Sequence, residues 1–420
     1  MLKIENVTLY TGKEVIEDGA VLVADGKIVY AGAKAACPDG AREKIDGAGG
    51  ILAPGFYNTH CHAAMTLERG VGSDLKLMDW LHVIWAIEGA LTGEHVYWAT
   101  QQAIMEMLRR GTVAFADMYF FMDQVGRAAV ESGIRADIAR GCTDMAGVDS
   151  TIDLYNACHM AGDGRVRVSM GIHAEYTSEQ AVARHAIEVA RELGIGMHIH
   201  LSETREEVAG ALERRGMTPV RYFDQLGAFD GRTIAAHCVH VDDAEIAILA
   251  QKGVFVAHNP ASNLKLASGF ARVNDMLKAG VKVALGTDGP ASNNALDMLA
   301  DMRLASILQK GVTGDPTALD ARAAFTMATR TGALALGLAD CGLIEAGMQA
   351  DMILIDGDAE NMLPRSDIPA ALVYAAQGLN VRMTMVAGKV LYRDGAFMTL
   401  DKPRILANVA QSARAIGASA

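Results

Sequence analysis

Short apolar runs rich in β-branched residues recur through the middle of the chain, near 51–57, 112–118, 134–142, 165–173, 195–201, 233–238, 253–258 and 281–287. Between most of them the apolar spacing changes from a strand period to a helix period, over Glu94–Arg110, Ser178–Leu193, Asp242–Lys252 and Val273–Ala279. Gly111, Gly194, Gly253 and Gly280 stand where these helices stop, as left-handed C-terminal caps commonly do. Eight strands alternating with helices predict an α/β fold, a (β/α)8 TIM-type barrel rather than an open doubly wound sheet. No Gly-x-Gly-x-x-Gly follows a strand, which removes the usual dinucleotide signature.

The two ends have a different texture. Leu2–Tyr10, Ala20–Val23 and Lys27–Ala31 read as strands, with Asp25-Gly26 as a tight hairpin turn. Beyond residue 345 the pattern returns in Ala350–Asp356, Ala371–Ala375 and Met383–Tyr392, punctuated by Gly357, Gly388 and Asp394-Gly395. We therefore expect residues 1–55 and 344–420 to build one small β-sandwich, with a C-terminal helix, around a barrel of residues 56–343.

Composition narrows the chemistry. Of 420 residues 51% are hydrophobic and 21% charged, ordinary for a globular protein. A formal net charge of −12 without a basic run argues against nucleic acid as a partner. No stretch is apolar for the length of a membrane helix, so no membrane partner is expected. Six cysteines without a Cys-x-x-Cys pair, and a start (Met-Leu-Lys-Ile-Glu-Asn-Val) lacking a signal-peptide core, predict a reduced, cytoplasmic protein.

The histidines carry the strongest signal. Seven of twelve fall at predicted strand ends, where barrel enzymes do their chemistry. The first barrel strand ends in His60-Cys-His62, whose alternation puts both imidazoles on one face. The fourth ends in His173, the fifth in His198-Ile-His200-Leu-Ser-Glu203, the sixth in His237, the seventh in His258 and the eighth in Gly-Thr-Asp288. His60, His62, His200 and Asp288 supply three imidazoles and a carboxylate for a divalent metal with one position open to water. The fourth strand offers no lysine that could bridge two ions, so one metal is expected. Zinc is the default, with iron, manganese or cobalt also compatible. Asp288 can take a proton from water, His237 can hold the added oxygen, and Glu203 can carry a proton to a ring nitrogen and a leaving group. His198 lies deeper than His200 and reads as a packed core histidine; His240 and His258 read as structural supports.

These motifs, with Pro54-Gly-Phe-Tyr-Asn-Thr-His60-Cys-His62, His200-Leu-Ser-Glu203-Thr, Ala-His237-Cys-Val-His, His258-Asn-Pro-Ala-Ser-Asn263 and Gly-Thr-Asp288-Gly, resemble the amidohydrolase superfamily. Within it the chain looks most like the 5′-methylthioadenosine/S-adenosylhomocysteine deaminases and their s-triazine hydrolase neighbours. The resemblance implies a metal-dependent aminohydrolase acting on a small nucleoside, with other heteroaromatic amines (a triazine, pterin, guanine-like base or cytosine) as the alternative substrate class. It also implies that Trp80 and Glu88 contact the ribose, that His173 contacts substrate, and that Arg140 meets a substrate carboxylate, in its own site or a neighbouring subunit's in a homo-oligomer. The stretch after Arg140 lacks the second arginine some members use for homocysteine, which favours smaller 5′-substituted adenosines. A metal-free scaffold is the remaining reading, opposed by the complete ligand set.

Overall fold

A computed structural model describes residues 1–418; the last two positions of the C-terminal segment lie outside the described residues. The first five strands are β1 (Leu2–Tyr10), β2 (Val15–Ala24), β3 (Lys27–Ala33), β4 (Glu43–Asp46) and β5 (Ile51–Pro54). Eight parallel strands follow: β6 (Phe56–Cys61), β7 (Thr112–Tyr119), β8 (Arg135–Cys142), β9 (Val166–Ile172), β10 (Met197–Leu201), β11 (Thr233–His237), β12 (Phe255–His258) and β13 (Lys282–Leu285). The chain closes with β14 (Met352–Ile355), β15 (Val381–Val386), β16 (Lys389–Arg393), β17 (Ala396–Phe397) and a helix over Lys402–Ala415.

Strands β6 to β13 pair in sequence order with helices between them, the wrapped parallel sheet that the alternating pattern predicts. The seam between β13 and β6 is joined by side-chain and backbone hydrogen bonds. Thr59 Oγ1 donates to the Leu285 carbonyl at 2.8 Å, Asn58 accepts from the Thr287 amide at 3.0 Å, and the Asp288 amide donates to the His60 carbonyl at 2.9 Å. That last bond sets Asp288 beside His60. It needs Gly286, because a Cβ there would lie 2.9 Å from the His60 nitrogen.

Strands from both ends form a separate sheet in the order β17-β16-β15-β14-β5-β1-β2-β3, with β4 beside β1. β5 joins the halves, running parallel to β1 and antiparallel to β14. Ile4, Leu9, Val21, Leu52, Met352, Leu354 and Met383 form its buried core. The two sheets meet at Asp351, whose carboxylate accepts from Arg135 Nε at 2.8 Å and from the Tyr57 hydroxyl at 2.9 Å.

Two predicted strands need correction. The run 51–57 is divided: Ile51–Pro54 belongs to the terminal sheet and Phe56 starts the barrel. Gly55 makes the crossing, and a Cβ on it would come within 2.8 Å of Val113 Cγ2. Ala371–Ala375 is helical, continuing Ile368–Ala370. Asp367 caps this turn by accepting from the Ala370 amide at 3.0 Å, and Pro369 falls in the first turn. This start signal outweighs the apolar run that suggested a strand. Among the described residues no helix is long and apolar enough to cross a membrane.

Candidate metal-dependent active site

A cavity of about 220 Å³ opens at the C-terminal ends of the barrel strands. His62, Trp80, Glu88, His173, His200, Glu203, His237 and Asp288 line it, and His60 is fully buried against this group. The backbone turns sharply here. Ser202, His237, Cys238 and Asp288 all have positive φ, between 46° and 74°, a conformation that costs non-glycine residues and recurs at functional sites.

Three imidazoles have their Nδ1 atoms occupied. His60 Nδ1 lies 2.9 Å from His198 Nε2, His62 Nδ1 lies 2.5 Å from the Met118 carbonyl, and His200 Nδ1 lies 2.7 Å from the His173 carbonyl. A carbonyl only accepts, so His62 and His200 each carry a proton on Nδ1, which leaves their Nε2 atoms as the positions that can bind an ion. These converge: His62 Nε2 is 3.4 Å from His200 Nε2, and Asp288 Oδ1 is 3.2 Å from the Nε2 of both His60 and His62. His60 Nε2 is buried without a hydrogen-bond partner. The set fits a divalent cation in ligand type and spacing.

The electrostatics agree with that fit. Burial pushes His60 down to about 4 and His200 well below the usual histidine range, so both stay neutral. His62 goes the other way. Burial opposes its charge, but the Asp288 hydrogen bond and negative charge lift it to about 9. The carboxylate that attracts a proton there also attracts a cation. For Asp288, burial favours the neutral acid, but His60 and His62 hold it well below the carboxylate range. Its other oxygen accepts from Ser262 at 2.5 Å and Ser292 at 2.8 Å.

Glu203 and His237 stand side by side on the same wall, with His237 Nε2 3.8 Å from Glu203 Oε2. His237 Nδ1 is anchored by Asn263 Oδ1 at 2.8 Å. Burial lowers its basicity, but Glu203 and Asp288 together raise it, so its Nε2 is disposed to carry a proton. Glu203 Oε1 accepts from the Ser268 hydroxyl at 3.0 Å. His173 sits at the cavity edge with Nδ1 2.9 Å from Thr177 Oγ1, and burial followed by the nearby His62 lowers it to about 4.

Trp80 and Glu88 lie on α1 (Leu77–Glu88) at the cavity mouth. The Trp80 indole Nε1 is buried with no partner, a donor left for an occupant of the cavity. Arg140 is not in this cavity. It lines an adjoining one of about 750 Å³ that shares Trp85, Glu88 and Phe120 with the first. Among the described residues it makes no ion pair, with Asp117, Asp144 or any other acid. Its neighbour Gly141 lines the first cavity, so strand alternation puts Arg140 on the other face of β8.

Other members of the site were not singled out from sequence. Glu207 accepts from the backbone amides of Ser202 at 3.0 Å and Glu203 at 2.6 Å, holding the turn that carries Glu203. Its signal was present, since Thr204-x-x-Glu207 has the spacing of a helix N-terminal capping box. Asn263 and Ser262 were within a motif but had no role assigned. Tyr119 and Glu68 gave no signal. His258 is buried with neither ring nitrogen hydrogen-bonded, while His240 Nε2 binds the Ser268 carbonyl at 2.6 Å.

Residues 51–391 match the model of the amidohydrolase family, and the chain belongs to that family. A 5-methylthioadenosine/S-adenosylhomocysteine deaminase of Moorella thermoacetica is 46% identical over 404 residues, 94% of each chain. A 5′-deoxyadenosine deaminase of Methanosarcina mazei is 43% identical over 406 residues, 95% of this chain and 93% of its own. The crystal structure of an adenosine deaminase from Xanthomonas campestris with bound zinc superposes with a TM-score of 0.96 at 35% identity, covering 100% of this chain and 99% of that one.

Proposed function

We propose that this chain is a metal-dependent aminohydrolase that removes the 6-amino group of adenosine-type nucleosides, giving the inosine analogue and ammonia. Substrates of this class are 5′-methylthioadenosine, S-adenosylhomocysteine, 5′-deoxyadenosine and adenosine. The observation that carries the reading is the convergence of three imidazole Nε2 atoms and Asp288 Oδ1 beneath Glu203 and His237, in a cavity whose mouth holds Glu88. The relatives at 43% and 46% identity, both deaminases of such nucleosides by name, support it.

His60, His62, His200 and Asp288 would hold one divalent ion, with zinc the first choice. Bound there, such an ion makes water acidic enough to act as a nucleophile near neutral pH. Asp288 takes a proton from the attacking water. His237 donates from Nε2 to the oxygen added at ring C6. Glu203 protonates ring N1 and then passes a proton to the departing amine. Glu88 accepts from the two ribose hydroxyls, Trp80 and His173 bound the substrate, and Arg140 serves the far end of a 5′ substituent through the adjoining cavity.

The organisation that goes with this activity is a barrel of residues 56–343 flanked by a β-sandwich of residues 1–55 and 344–420. The shared buried core of Ile4, Leu52, Met352 and Met383 supports it.

Ammonia release from a panel of methylthioadenosine, S-adenosylhomocysteine, adenosine, 5′-deoxyadenosine, guanine, cytosine and melamine tests the function. Turnover is expected for the nucleosides, abolished by chelation and by Asp288→Asn. Turnover confined to the free bases, or full activity in Asp288→Asn, overturns it.

A further inference from the structure

Asp288 is held from both sides. Its Oδ1 faces the Nε2 atoms of His60 and His62, while its Oδ2 accepts from Ser262 Oγ at 2.5 Å and Ser292 Oγ at 2.8 Å. The two serines come from different turns. Ser262 lies on the short helix Pro260–Lys265 after β12, and Ser292 on the turn that follows Asp288. A carboxylate rotates about a soft torsion, so its hydrogen bonds decide where each oxygen points. Two hydroxyls on Oδ2 leave Oδ1 aimed at the imidazoles.

Behind both turns lies Asp301, 1% exposed, on the helix Met298–Thr313. Its helix neighbours Leu299, Met302 and Ala305 pack into the apolar core. Its Oδ1 accepts from the Ala261 amide at 3.3 Å, and its Oδ2 from Asn293 Nδ2 at 2.9 Å. Each donor is the chain neighbour of one serine: Ala261 precedes Ser262, and Asn293 follows Ser292. Asn293 Nδ2 also donates to the Thr287 carbonyl at 2.8 Å, one residue before Asp288. One buried carboxyl thus ties together the two turns that hold Asp288 Oδ2. Burying a carboxyl is costly, and an apolar side chain would close the helix against the barrel without that cost. What the carboxyl adds is a pair of acceptors that spans both turns.

We propose that Asp301 is a positioning residue for the metal site: by bracing the Ser262 and Ser292 turns, it aims Asp288 Oδ1 at the position an ion would take. This inference rests on the assignment of His60, His62, His200 and Asp288 as metal ligands under the proposed function.

The test measures zinc affinity of the whole protein, after metal removal, by competition with a chromogenic chelator. It compares the wild type, Asp301→Leu, Ser262→Ala/Ser292→Ala, and the variant carrying all three changes. Losing a group that orients a metal ligand typically costs about 10- to 100-fold in affinity, and Asp301→Leu is expected to cost about fivefold or more. In the protein lacking both serines the same change should cost less than about twofold, because the hydroxyls it braces are gone. A general loss of packing would lower affinity by the same factor in both. Should Asp301→Leu not fold, Asn293→Ala cuts the arm to Ser292. It must lower affinity by about threefold or more alone, and by less than about twofold in Ser292→Ala. A smaller fall in the single variant, or a larger one in the serine-free background, overturns the role of Asp301 alone. A wild type that takes up no zinc overturns the ligand assignment and this inference with it.

Discussion

His198 Nε2 stands 2.9 Å from His60 Nδ1, at a fully buried contact two residues before His200 on β10. For His60 to present its Nε2 lone pair to an ion, its Nδ1 must carry the proton, so His60 donates and His198 accepts. His198 is the packed core histidine its depth predicts, and its contact also fixes the ring of His60, a proposed metal ligand. Such partners fix the ring and tautomer of a metal-binding histidine, and their loss typically costs about 10- to 100-fold in metal affinity. His198→Phe should therefore weaken zinc binding by that order, read by competition with a chromogenic chelator. Affinity within twofold of wild type would show that His60 orients itself.

Glu207 should matter for the acid–base step and not for the metal. Its two oxygens accept two backbone amides, and the amide group of a glutamine can accept only one of them. Leaving a buried amide unpaired costs about 1–3 kcal/mol. Glu207→Gln is expected to lower kcat by roughly tenfold or more, equivalent to about 1.4 kcal/mol, with metal content by elemental analysis unchanged. Lost metal together with lost activity would place Glu207 in general folding instead.

On the proposed reading, Glu88 should separate nucleosides from free bases. A charge-assisted hydrogen bond contributes roughly 1.5–3 kcal/mol, so losing a carboxylate that holds two hydroxyls should cost about 100-fold in kcat/KM for a ribonucleoside. Glu88→Ala should show that loss with adenosine and little change with a base lacking the sugar. Equal losses on both would remove Glu88 from ribose recognition.

His258 predicts part of the acid response. Burial, followed by the nearby positive charge of His237, lowers it from 6.5 to about 3. A depressed folded value means that its contribution is complete above pH 6.5 and is lost as pH falls toward 3, because the unfolded chain takes up a proton that the folded one refuses. His258→Asn, which does not titrate, should have a shallower acid limb in urea unfolding, by about 1.4 kcal/mol per pH unit at most. Parallel limbs for the two proteins would show that His258 ionises freely in the folded state.

Much of this architecture is written in periodicity. A period of two, broken by helix-period segments and glycine caps, is enough to imply the wrapped parallel sheet, because each strand must bury apolar side chains and each crossover must return on the same side. His60 and His62 are legible as a pair for the same reason: alternation on one strand puts them on one face. Short apolar runs read singly were less secure. Ala371–Ala375 had a strand-like composition, yet Asp367 and Pro369 start a helix there.

By itself the sequence determined the barrel and the strands that carry the clustered histidines and Asp288, since these follow from local patterns of side-chain polarity. Only the tertiary structure decided how β13 returns beside β6 to set Asp288 next to His60, and how Tyr119 of β7 meets Glu68. Those contacts join positions dozens to hundreds of residues apart, and no local period encodes them. They are set by closing the sheet and by the buried polar groups that must find one another once water is excluded.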